Sequence, residues 1–229
     1  MQNKSHAVMA QRVEPNSSLD DFPTPPWATR GFIEHILGVD AVSSLTCLEP
    51  ACNRGFMAEP LSEYFAEVTA SDIFDYGYSE VKDFLGGDYP DKSFDWVITN
   101  PPFKLAEDFF FEAQRVARVG VALLTRTVFI ESIGRYDRLF SKYPPEQFAQ
   151  FTERVPMVKG RLDKKASTAT GYGWLVWNVQ KQPNGSKLGW VPPCRKSLER
   201  DGDYDLPKPR NQSSKNSNQA QLQSQLKLI

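Results

Sequence analysis

The stretch "SLTCLEPACNRGF", Ser44 to Phe56, decides how the chain is read. A short apolar run, Thr46 to Leu48, reads as a buried strand and ends on the acid Glu49. A turn, "PACNRG", follows, and "FMAEPLSEYFAE" then takes helical spacing. Pro60 falls early enough in that helix to be tolerated near its first turn. Strand, turn and helix in this order bring backbone N–H groups and a helix start toward a ligand at the carboxyl end of a strand. Asn53 is one of the few non-glycine residue types that accept positive φ readily, so it can share the turn with Gly55.

The same alternation continues outward. "VTASDI" and "FDWVITN" read as the next strands, "LAEDFFFEAQRVAR" as a helix with a broad apolar face, and "GVALLTR" as another buried strand. Upstream, the prolines of "FPTPPWATRGFIEHIL" set an extended entry to a helix starting at Pro26 or Trp27. That helix carries Phe32, Ile33, Ile36 and Leu37 on one side. The alternation predicts an α/β domain, doubly wound around a mostly parallel seven-stranded sheet. After about residue 140 the pattern changes. "PEQFAQFTERVPMV" and "GYGWLVWNVQ" predict a late antiparallel pair at the sheet edge, separated by the polar loop "KGRLDKKASTAT". Trp174 and Trp177 in the second of these read as core. Residues 1–20 are polar and aperiodic, a flexible leader. The domain is expected over 21–205. A polar tail follows over 206–229, rich in Gln, Asn and Ser and free of acidic residues, and is expected to be disordered.

Composition narrows the function classes. The chain has 229 residues, 40% hydrophobic and 24% charged, which suits one sizeable core. Formal net charge is -1, so no global basic field advertises a nucleic-acid partner, though a local basic patch is compatible with it. Three cysteines and two histidines show no metal-ligand spacing, so no metal site is expected. No apolar run approaches membrane-spanning length and no secretory leader is visible, so a cytoplasmic protein without membrane contact is expected.

Several residues can carry chemistry, each with a plainer alternative. Glu49 is either a ligand-facing acid or a helix-capping one. Asp72, ending the second strand, suits ribose hydroxyls, and equally suits turn initiation. Asp83 and Phe84, in "KDFLGG", offer a carboxylate and a ring to a flat heterocycle, or form an ordinary loop pair. Cys52 reads as a small turn residue, with no histidine nearby in sequence to activate it. "NPPF", Asn100 to Phe103, ends a strand. Pro101 and Pro102 remove two donors and stiffen the chain. The Asn100 side-chain oxygen and a nearby carbonyl can accept from one amino group, and Phe103 can stack on a ring. Strand termination by proline is the alternative, and the motif alone leaves both open.

Taken together, the ordered set "LEPACNRGF", "SDI", "KDFL" and "NPPF" resembles the class I S-adenosylmethionine-dependent methyltransferases, and among them the N6-adenine type. "FPTPPWAT" ahead of the cofactor loop is similar to the gamma order of those enzymes. The resemblance spans roughly residues 20–180 and extends to small phage or prophage modification enzymes. It implies S-adenosyl-L-methionine as cofactor. Glu49, Pro50, Ala51, Asn53 and Gly55 would line its pocket. Asp72 and Ile73 would meet the ribose, Asp83 and Phe84 the adenine, and Thr24 and Pro25 the methionine end. Asn100 and the Pro101 carbonyl would accept from the target amine beside Pro102, with Phe103 stacked on the base. DNA is the implied partner. RNA, a protein glutamine amide, or binding without turnover are the alternatives. The sequence carries no large target-recognition domain, in departure from the sequence-specific members. Lys159, Arg161, Lys164 and Lys165, in "VKGRLDKKAST", are expected to contact phosphates if the late strands pair; a solvated loop is the alternative.

Overall fold

A computed structural model describes residues 20–181 and 184–210. Eight strands form one sheet: β1 (Thr46–Glu49), β2 (Glu67–Asp72), β3 (Glu80–Val81), β4 (Phe94–Thr99), β5 (Ala117–Arg126), β6 (Gln147–Phe151), β7 (Tyr172–Asn178) and β8 (Lys187–Val191). The α-helices among the described residues are α1 (Pro26–Phe32), α2 (Val39–Val42), α3 (Ala58–Ser62), α4 (Ala106–Val116), α5 (Ile133–Arg135) and α6 (Arg195–Leu198). The strand order is β3-β2-β1-β4-β5-β7-β6-β8. Strands β1 to β5 run parallel, β7 is antiparallel to both β5 and β6, and β8 lies parallel to β6.

The doubly wound sheet follows from period-2 alternation with apolar residues at both phases. In β4, Trp96 and Ile98 join the core on one face while Val97 joins the other. In β5 the division is Ala122 and Leu124 against Val121 and Leu123, and in β7 it is Trp174 and Val176 against Leu175 and Trp177. Trp174 and Trp177 are therefore core residues, as their strand position implied. Pro26 begins α1, and Phe32 and Ile33 are fully buried.

Two details differ from the sequence reading. The sheet has eight strands rather than seven, because "KLGWV" adds β8 beyond β6. Its exposed Leu188 and Trp190 give no clean inward pattern, so the segment does not announce a strand. The antiparallel strand β7 is consequently interior, with two more strands outside it. The leader over 1–19 and the tail over 211–229 lie outside the described residues. Residues 206–210 run against the domain. Arg210 donates its backbone N–H to Tyr78 O at 2.7 Å and its guanidinium to Val68 O at 2.9 Å.

The segment just before these residues is also held by a buried ion cluster. Arg30 on α1 donates to both Asp203 carboxylate oxygens at 2.8 Å and to Glu63 at 2.8 and 2.9 Å. Arg30 and Asp203 are 4% and 5% exposed at the side chain, so removing one partner strands a charge away from water. We expect Asp203→Ala to cost about 3 kcal/mol and to lower the melting temperature by roughly 6–12 °C. An unchanged melting curve would show that the cluster is not coupled to folding.

Candidate active site

The order β3-β2-β1-β4-β5 reverses direction between β1 and β4, and open α/β sheets bind ligands in the crevice at that point. The carboxyl ends of the parallel strands deliver four functional residue types to one edge. They are Glu49 from β1, Asp72 from β2, Asn100 just after β4, and Arg126 from β5.

A cavity of about 300 Å³ opens there. Thr24, Glu49, Pro50, Ala51 and Asn53 line it, with Asp72, Ile73, Asp83 and Phe84 and, opposite, Asn100 and Pro102. Residues far apart in sequence thus meet in one pocket. Pro25, Gly55 and Pro101 do not line it. Pro25 is the residue before α1, and Gly55 acts through the backbone of the turn. Gly55 has φ 89°, and a Cβ there would sit 2.3 Å from the Tyr78 ring, so only glycine fits. Asn53 takes φ 50°, the left-handed conformation its residue type tolerates.

Burial tunes the acids. Glu49 is 1% exposed. Its Oε1 accepts from the Thr99 hydroxyl at 2.7 Å, a bond that ties β1 to β4 across the switch point, while Oε2 is buried with no partner. Burial pushes its pKa up to about 8, and the nearby Asp72 charge adds to the rise against the Thr99 bond. Asp72 accepts from the Asn53 N–H at 2.8 Å and the Phe74 N–H at 3.0 Å; burial raises its pKa as well. Asp83 caps the short turn at Phe84 by accepting from Leu85 N–H at 2.9 Å. Phe84 is 2% exposed and packs on Tyr89 and Phe109, so only a small part of the ring reaches the pocket. Cys52 is buried, its thiol pKa pushed well up by that burial, and its sulfur lies 2.9 Å from Ser79 Oγ. A thiol held protonated in this way is no nucleophile.

The segment Asp20–Thr24 straps across the pocket. Asn100 donates its amide nitrogen to Phe22 O at 3.0 Å and to Thr24 Oγ1 at 3.2 Å. Asp20 accepts from the Phe103 N–H at 2.7 Å. Asp21 accepts from Asn53 Nδ2 at 2.7 Å and pairs with Arg54 at 3.0 Å. With its N–H groups used by the strap, Asn100 keeps its side-chain oxygen buried and unpartnered. The Asp20 and Asp21 anchors were missed in the sequence, where Asp20 closes the polar leader and Asp21 opens the domain without a role. The only available signal was their place just before "FPTPP".

Phe103 does not line this pocket. It lines a second cavity of about 800 Å³, which Asp20 and Phe22 share with the first. The expected basic loop borders that cavity only in part. Lys159 lines it, whereas Lys164 lies 3.6 Å from Glu199 and Arg161 lies 3.3 Å from Asp163. Lys165 follows Lys164 in the exposed part of the loop, its backbone N–H bonded to Asp163. Among the described residues no His, Cys, Asp and Glu group could hold a metal ion, and no helix is long and apolar enough to cross a membrane.

Comparison with solved structures gives the architecture its place. A Pyrococcus horikoshii protein described as a candidate RNA methyltransferase superposes with a TM-score of 0.55 at 13% identity, over 72% of this chain and 90% of that one. The modification subunit of a candidate type I restriction enzyme from Vibrio vulnificus gives 0.52 at 12% identity, over 81% of this chain. The fold is the Rossmann-like methyltransferase fold. The match covers only 51% of the restriction subunit, so this chain corresponds to about half of that larger protein. No family model matches the sequence, and no curated protein does.

Glu49 gives the site a pH dependence. The folded protein holds the proton up to about pH 8, whereas an unfolded glutamate releases it near pH 4.3. The native state therefore binds more protons between those values, and stability falls as pH rises through the window. We expect Glu49→Gln to remove that contribution. Its melting temperature should gain on the wild type steadily from about pH 5 to pH 8. A gap independent of pH would contradict the raised pKa.

Proposed function

We propose that this chain is an S-adenosylmethionine-dependent methyltransferase that transfers methyl to an exocyclic amino nitrogen, N6 of adenine in DNA. The unpartnered Asn100 side-chain oxygen carries the reading. A buried acceptor without a donor costs about 1–3 kcal/mol, so its retention at the pocket wall argues for a donor that arrives with a substrate. An amino group is such a donor.

The cavity residues suit the cofactor. Glu49 Oε2 is a second buried polar atom without a partner, and once Glu49 gives up its proton it suits a cationic group. Asp72 stands at the end of β2, where ribose hydroxyls are held in doubly wound folds. Asp83 and the edge of Phe84 offer an acceptor and an apolar surface for an adenine. S-adenosylmethionine supplies, when bound, a methyl group on an already electrophilic sulfonium.

The chain's own residues then have a positional task. An exocyclic amine is a poor nucleophile because its lone pair is delocalised into the ring. Two acceptors on its N–H groups would favour tetrahedral nitrogen and free the lone pair: Asn100 Oδ1 at the cavity wall and, by the resemblance of the motif, the carbonyl of the neighbouring Pro101, which does not itself line that cavity. The strap prevents Asn100 from turning its NH₂ group toward the amine, which would present a donor to a donor. Orientation of this kind can account for much of a rate enhancement without a strong base. A duplex adenine would have to leave its stack first.

DNA is supported by the fold likeness to a restriction-modification subunit, and RNA by that to an RNA methyltransferase. Lys159, Arg161, Lys164 and Lys165 are proposed to meet phosphates. For Lys164 that requires exchanging Glu199 for the nucleic acid. Methyl transfer from labelled cofactor to separate DNA, RNA and protein pools tests the reading. We expect label in DNA as N6-methyladenine, and a loss of at least about a hundredfold with Asn100→Ala, in keeping with about 3 kcal/mol for a transition-state hydrogen bond. Label only in RNA or protein would move the substrate, and wild-type transfer by Asn100→Ala would overturn the mechanism.

A further inference from the structure

The second cavity has a feature that the methyl-transfer reading leaves unused. Arg126, the last residue of β5, lays its guanidinium 3.9 Å from the centroid of the Phe103 ring and 5.7 Å from that of Phe22. The ring that would stack on a target base is therefore already covered by a flat cation. Phe22 lies 5.5 Å from Phe103 and Tyr172 6.4 Å, both tilted, so neither ring stacks flat on Phe103. Arg126 Nε is buried without a hydrogen-bond partner. The Tyr172 hydroxyl sits beside the guanidinium; burial raises that phenol's pKa and the neighbouring positive charge opposes the rise. Lys104 and Lys159 line the same cavity.

A guanidinium stacked on an aromatic face is a good mimic of a flat heterocycle, and the interaction is worth more when partly desolvated. Displacing it from Phe103 forfeits the cation–π contact, a loss that an anion meeting the guanidinium would offset. A nucleotide brings both parts together: a ring for Phe103 and a phosphate for the arginine. A glutamine amide brings neither. Arg126 can therefore separate the acceptor classes that the Asn100 oxygen alone would accept alike.

We propose that Arg126 holds the acceptor ring's place on Phe103 and, when a nucleotide enters, yields the ring face and takes the phosphate flanking the target base. This rests on the reading of the acceptor as a nucleic-acid amine. Arg126 is on that account a positioning and specificity residue that favours a nucleotide over an amide. A guanidinium binds phosphate through two parallel N–H groups, and the free Nε is one of the donors available for it.

The test measures binding and needs no turnover. A short single-stranded DNA with one adenine is titrated into the full-length protein by fluorescence anisotropy, with S-adenosylhomocysteine present. It is compared with the same strand bearing a neutral methylphosphonate on one or the other side of the adenine, and with a strand abasic at that position. For the wild type, one of the two neutral linkages should weaken binding about tenfold, the effect of one charge-assisted contact. For Arg126→Met the same linkage should have no effect, and the slope of affinity against salt should fall by about 0.7. Arg126 does not line the first cavity, so unchanged S-adenosylhomocysteine affinity shows that the variant is folded. Should Arg126→Met not fold, Arg126→Gln is used instead, and should lose the linkage effect in the same way.

A neutral linkage that costs the variant as much as the wild type overturns the proposal, as does unchanged binding by Arg126→Met. Failure of every strand to bind also overturns it. If adenine and abasic strands bind alike while the arginine–phosphate coupling persists, the phosphate role stands and the adenine reading fails.

Discussion

The orientation of one amide governs the site. Asn100 spends both of its N–H groups on the Asp20–Thr24 strap, at Phe22 O and Thr24 Oγ1, and is left with a single outward function, an acceptor. The strap cannot hold Asn100 alone. Asp20 ties it to the Phe103 backbone, and Asp21 ties it to Asn53 and Arg54 in the turn after β1. The turn that shapes one wall of the pocket and the motif that shapes the other are thus bridged by a few residues from a third part of the chain. Each hydrogen bond is worth only about 1 kcal/mol, but together they fix a geometry that an untied asparagine would sample only part of the time.

The strap also divides space. It stands between a smaller cavity lined by Glu49, Asp72 and Asp83 and a larger one lined by Lys104, Arg126 and Lys159. Burial does complementary work on the two sides. In the first it keeps Glu49 protonated to about pH 8, ready to ionise when a cation arrives. In the second the half-buried Arg126 guanidinium lies over the Phe103 ring, where an anion could draw it away. Both groups are held in states that a ligand of the right charge would relieve.

Much of this was legible in the sequence because period and turn chemistry are local. The strand at 94–99, the switch from parallel to antiparallel pairing, and the tolerance of Asn53 for positive φ all follow from short windows. Glu49, Asp72 and Asn100 could be placed because open α/β sheets present ligands at strand ends. What was not legible depends on non-local partners. Asp20 and Asp21 look like an ordinary boundary between a polar leader and the domain until the fold brings Asn53, Arg54 and Phe103 to them. Lys164 looks like a free phosphate ligand until Glu199 lies 3.6 Å away. Arg126 is simply the polar end of an apolar strand, and nothing in "ALLTR" says that it reaches a ring after β4. Strand β8 escaped notice because, at a sheet edge, backbone pairing rather than side-chain burial holds it.

A structure of the protein with S-adenosylhomocysteine and an adenine-bearing oligonucleotide would test the central claim most directly. The account predicts the adenine amino nitrogen within about 2.7–3.2 Å of Asn100 Oδ1, with the Asn100 NH₂ still on Phe22 O and Thr24. An amide turned the other way, or an adenine bound away from Asn100, would contradict it.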